Sequence, residues 1–190
     1  MKTFFAAIIS VTTLLSISSC GEDYTNEIGH VDGLIKILDA SEEVLHDVDT
    51  ATLFEMTDFI RKSIKKIQSK GDTLTKEAAI EADQYIGKLK TLYNLTKNYH
   101  AYQNEINNVR QQLNNLKQDL NNGLIPKDKF PEYYQNEQNG VILINDKINH
   151  ATNGMSDRLE KMKANKANFE KLIDDPASYM SYYKNNASSN

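Results

Sequence analysis

Apolar positions fall three, four or seven apart along most of the chain, the repeat that lays one side of an α-helix against a core. Ile28, Val31, Ile35, Leu38 and Leu45 predict a first helix over 24–46. A second, over 51–70, carries Phe54 or Met56, then Phe59, Ile60, Ile64 and Ile67, with Thr50 or Thr52 as its cap and Gly71 as its stop. Tyr85, Leu89 and Leu92, followed by Tyr99, Tyr102, Ile106, Val109, Leu113, Leu116 and Leu120, recur at helical steps that settle into a strict three-four alternation. That run predicts one long helix over 75–121, in a left-handed coiled coil. Asn121-Asn122-Gly123, with Pro126 and Pro131 beyond, marks a turn, and a fourth helix over 131–173 returns before Pro176. Val141, Ile144, Ile148 and Ala151 hold its heptad, whereas Met155, Leu159, Met162, Phe169 and Ile173 need an extra four-residue step; Gly140 and Gly154 weaken the helix there. No segment beyond Cys20 sustains the period-two alternation of a strand.

The expected fold class is therefore all-α: a lopsided helical bundle in which a short N-terminal helical hairpin packs on a long antiparallel coiled-coil hairpin. A helix of roughly 45 residues spans about 68 Å, twice the roughly 33 Å of either short one. The short pair then covers only the end near Thr75 and Phe169, and the rest projects as two helices. On that projection Val141-Ile142-Leu143-Ile144 sets four consecutive apolar side chains around one helical turn, opposite Val109 and Arg110. A two-helix coil buries only one side of such a turn, so these four are the candidate interaction residues, through a protein partner or self-association.

The N-terminus has a different pattern. Met1-Lys2 precedes an uncharged apolar run from Phe4 to Leu15, the layout of a secretory signal and too short for a membrane span. The run closes on Ile17-Ser18-Ser19-Cys20, which resembles the lipobox of bacterial lipoproteins. The resemblance implies that residues 1–19 are a signal peptide and that Cys20 is acylated. Residues 20–173 are then one helical domain, and 174–190 a C-terminal tail whose Tyr179, Met180, Tyr182 and Tyr183 are expected to dock on the bundle. Cys20 is the sole cysteine, so core packing alone must hold the domain.

From Val31 to Tyr134 the chain, including Asp47-Val48-Asp49-Thr50 and Leu116-Lys117-Gln118-Asp119-Leu120-Asn121-Asn122-Gly123, resembles small helical lipoproteins of Bacteroidota. That resemblance implies an envelope location, attached to the outer membrane, and a helical fold; it carries no activity. Glu22 and Asp23, close behind Cys20, are similar to the acidic export tags of such lipoproteins and equally suit a helix N-terminus. Asp49-Thr50-Ala51 and Asp72-Thr73-Leu74 are similar to the O-glycosylation signal of that phylum and fall in predicted turns.

The formal charge is −4, or −5 once Lys2 leaves with the signal, which argues against nucleic acid as a partner and leaves acyl chains as the attachment to lipid. Arg61, Lys62, Lys65, Lys66 and Lys70 form a basic flank that either meets anionic headgroups or pairs with Glu22, Asp23, Glu27 and Asp32 of helix one. His30, His46, His100 and His150 stand apart from any serine or cysteine nucleophile, and no phosphate-binding glycine loop is present. Glu43-Val44-Leu45-His46, with Asp39 a turn earlier, is a single Glu-x-x-His where a di-metal bundle needs two. Catalytic, cofactor and metal residues are accordingly assigned to none. The expected function is a non-enzymatic interaction or spacer lipoprotein; the alternative, a bundle holding a lipid or other apolar ligand, calls for a cavity among Leu38, Phe59, Leu89 and Phe169.

Overall fold

A computed structural model describes residues 23–70, 74–87 and 90–178. Among them the chain forms six helices and no strand: α1 (Thr25–His46), α2 (Thr50–Lys70), α3 (Lys76–Gly87), α4 (Lys90–Asn121), α5 (Phe130–Thr152) and α6 (Met155–Asp174). The all-α helical bundle is the one the periodicity implies. Its internal arrangement is not.

Helices α1 and α2 do not fold back on each other. Asp23 accepts hydrogen bonds from the Thr25 backbone N–H and hydroxyl at 2.9 and 2.5 Å, which start α1 and hold the Asp23 carboxyl below its usual range. The Tyr24 hydroxyl donates to the Ile125 carbonyl at 2.7 Å, fixing this start against the α4–α5 turn. From there α1 runs antiparallel to α4, because Asp32 meets Lys117 and Asp39 meets Arg110, and parallel to α5, because Ser41 meets Asn145. The chain bends at Asp47-Val48-Asp49 and continues in the same direction: Thr57 reaches Thr96, Glu55 reaches Lys166, and Lys66 pairs with Asp174. Asp49, not Thr50 or Thr52, caps α2 by accepting from the Thr52 backbone N–H and hydroxyl. Val48 is buried in the core and Asp49 caps α2 at once, so the junction is used as a bend and not as a reversal.

Each arm of the bundle is thus a helix in two pieces. The predicted helices over 75–121 and 131–173 each resolve into two, α3 and α4 on one arm and α5 and α6 on the other; residues 88 and 89, with the predicted core position Leu89, lie outside the described residues. On the third arm, α5 ends at Asn153 and Gly154, whose φ of +65° interrupts the helix where the heptad phase shifts. Gly140, by contrast, sits inside α5 with nothing within 4 Å of an added Cβ. Arms of 43 to 44 helical residues at 1.5 Å each make a three-helix rod of about 65 Å. Helix α1 lies along α4 and α5, so no two-helix segment projects; α2, α3 and α6, with the start of α4, build the far end.

The turn half has the regular core that the heptads predict. Ile106, Leu113 and Leu120 of α4, Val141, Ile144 and Ile148 of α5, and Val31, Leu38 and Leu45 of α1 are wholly buried. Ion pairs set the register along its edges: Arg110 donates to Asp39 at 2.7 Å and Glu42 at 2.6 Å, and Lys147 to Glu105 at 2.7 Å. Donation to Asp39 and then Glu42 raises the Arg110 pKa. At Gly123, φ is +65°; its N–H donates to the Leu120 carbonyl and that of Leu124 to Asp119, a Schellman ending that stops α4 where Asn-Asn-Gly predicts.

Gly154→Ala is expected to cost about 1 to 2 kcal/mol, because a side chain there must adopt the left-handed conformation. Denaturant unfolding measures it, and an unchanged midpoint would contradict the observed break.

Candidate functional site

Among the four candidate interaction residues the structure divides two from two. Val141 and Ile144 are wholly buried, whereas Ile142 is 48% and Leu143 54% exposed. Val141 and Ile144 therefore do not meet a partner: four consecutive residues cannot share one side of a helix, and the side that Val141, Ile144 and Ile148 present is taken by α1 and α4. The Glu105–Lys147 pair sets residues 141–144 opposite 108–111, the level expected from the sequence. The reason for exposure differs from the expectation, since α1 covers this level and still leaves Ile142 and Leu143 outside.

Ile142 is not alone. His30 packs against Tyr134 and Ser41 bonds Asn145, two contacts with the same 104-residue offset between α1 and α5. That offset sets Ile37 level with Val141 and Val44 level with Ile148. Ile37 and Val44 follow His30 at heptad steps, so they lie on the edge of α1 that faces α5. Ile142 is three residues from Asn145 on the matching edge of α5. Ile37 is 45% and Val44 38% exposed, so the α1–α5 seam carries an apolar strip of about two helical turns. The missed signal was Ile37 and Val44 themselves, which lie off the inward stripe of α1.

The far end is packed less evenly. Tyr85 stacks on Phe169 with ring centres 3.8 Å apart, and Phe59 meets the same ring edge-on at 6.1 Å. Burial pushes the Tyr85 phenol up, with the nearby Glu170 charge adding to the effect. Ala78 and Ala82 are the buried side chains of α3, and such small residues draw α3 onto α6. Between α3 and α6 lies a cleft of about 730 Å³ whose lining includes Glu81, Asp157, Arg158 and Lys161. Between α2 and the α3–α4 arm is a groove of about 410 Å³ over Ile60, Ile64, Ile86 and Tyr93, with Arg61 and Lys65 on its rim. The four residues expected to line one cavity do not meet there: Leu38 is core of the turn half, Phe59 and Phe169 pack on each other, and Leu89 is outside the described residues.

Among the described residues the basic flank of α2 does not pair with α1. Lys62 and Arg61 pair with Asp58 on their own helix, which lowers the Asp58 pKa, and Lys66 pairs with Asp174 of α6. The reason is the course of α1, whose Asp32, Asp39 and Glu42 are taken by Lys117 and Arg110 of α4. Asp39 is thereby engaged away from Glu43 and His46, and among the described residues no three His, Cys, Asp or Glu side chains converge as metal ligands. His100 lies 3.0 Å from Gln103 and stacks beside Phe54. Thr50 is the first residue of α2 rather than part of an open turn; Cys20, Glu22, Thr73 and Tyr179 to Tyr183 lie outside the described residues. No described helix is long and apolar enough to cross a membrane. No family model, curated protein or solved structure matches this chain.

Proposed function

We propose that the chain is a lipoprotein of the cell envelope, held to the outer membrane by acyl chains on Cys20, and that it acts without catalysis as a rod-like interaction or spacer module. The observation that carries this reading is the strip of Ile37, Val44 and Ile142 along the α1–α5 seam, exposed beside the buried core positions Leu38, Leu45 and Val141. Burying each of these side chains on a partner is worth roughly 1 to 3 kcal/mol, and clusters of this kind mark protein contacts. The lipobox-like Ile17-Ser18-Ser19-Cys20 supports the anchor. Tyr24, four residues later, is bonded to Ile125, so an anchor at Cys20 would hold the rod by the end with the α4–α5 turn. An upright rod then presents the strip about 20 to 30 Å from the anchored end and the α2–α3–α6 end about 65 Å away.

The test compares the parent with an Ile37→Lys, Ile142→Lys double variant after mild detergent extraction. The parent is expected to migrate in a larger complex and the variant as the lone chain, with unchanged helix content. Identical migration of both would remove the strip as the contact.

A further inference from the structure

The groove between α2 and the α3–α4 arm has a chemistry that the partner-binding strip does not share. Its floor is apolar, from Ile60, Ile64 and Ile86, and Tyr93, 57% exposed, forms one wall. Its other wall is α2, which after Asp58 contains Arg61, Lys62, Lys65, Lys66 and Lys70 and no further acid. The Arg61–Asp58 pair is open to solvent, and such pairs hold a side chain weakly, so the guanidinium can turn to a bound anion. Gln68 adds an amide to the same lining. At one end Thr57 and Thr96 bond at 2.8 Å and close α2 against α4. The cleft between α3 and α6 offers no such sign preference: it carries Glu81 and Asp157 beside Arg158 and Lys161, and Lys161 is paired with Asp157 at 2.7 Å.

We propose that this groove binds one molecule of a single-chain anionic amphiphile, its alkyl chain on Ile60, Ile64, Ile86 and Tyr93 and its head group between Arg61 and Lys65. A volume of about 410 Å³ lies within the range of small-molecule sites and holds one chain, not a diacyl lipid. The site belongs to the end of the rod remote from Tyr24, so, given the proposed anchor at Cys20, its occupant reaches it as a monomer and not from the bilayer surface. A membrane surface is the outcome that the experiment is built to separate.

The full chain carrying Cys20→Ala, which needs no detergent, is titrated with a fluorescent polyene fatty acid below its micelle concentration. The expected result is saturable one-to-one binding, about tenfold or more weaker for the methyl ester of the same acid. Arg61→Glu with Lys65→Glu is expected to weaken the acid by at least about tenfold while leaving the ester unchanged. Tyr93→Glu, an exposed position whose change spares the core, is expected to weaken both probes. Equal affinity for acid and ester, variants that bind like the parent, or binding to phosphatidylglycerol vesicles without binding of the monomeric acid would each overturn the proposal. Helix content measured alongside keeps a folding defect from imitating a lost contact.

Discussion

Ile144→Ala is expected to destabilise the fold by about 2 to 5 kcal/mol, while Leu143→Ala, one residue away, is expected to change stability by less than about 0.5 kcal/mol. The contrast follows from burial: Ile144 is wholly enclosed by α1, α4 and α5, whereas Leu143 turns a further 100° around the helix and stands more than half exposed. Denaturant unfolding of both variants reads it. A two-helix projection predicts a smaller loss at Ile144, because α4 alone would cover it there. Equal effects at both positions would contradict the enclosure of Ile144 between α1 and α4.

The core of the turn half was legible because its signal is local. Steps of three and four from Tyr99 to Leu120 and the Asn-Asn-Gly stop specify a helix, its inward face and its end without reference to any other segment. The direction of the chain after His46 was not legible in that way. Asp47-Val48-Asp49 suits a reversal or a bend, and the choice depends on tertiary facts: Val48 finds a place in the core, Asp49 caps α2 at once, and Arg110 and Lys117 draw the acids of α1 along α4. Once α1 is on the α4–α5 seam, Ile37 and Val44 come level with residues 141 and 148, 104 positions later in the chain. No window of sequence contains that juxtaposition. The groove at the far end is equally non-local, since it arises from Ala78 and Ala82 settling α3 on α6 and leaving a gap beside α2.

Replacement of Cys20 by alanine is expected to move nearly all of the protein out of the membrane fraction. A net charge of −5 without Lys2 offers no general attraction to anionic lipid, and the basic run on α2 belongs to the end remote from Tyr24. Acyl chains contribute roughly 0.8 kcal/mol for each buried methylene, so their loss outweighs any surface effect available to this chain. Fractionation of parent and variant at equal expression measures it. Membrane retention of the variant that high salt reverses would assign the attachment to the basic flank of α2 instead.

In-cell photo-crosslinking from single positions tests most directly whether the rod meets a protein through the α1–α5 seam, as proposed. A photoreactive residue placed at Ile37 or Ile142 is expected to give the same discrete adduct, and one at Glu160, exposed on α6, is expected to give none. Adducts of equal yield from all three positions, or from Glu160 alone, would contradict the seam as the interaction surface.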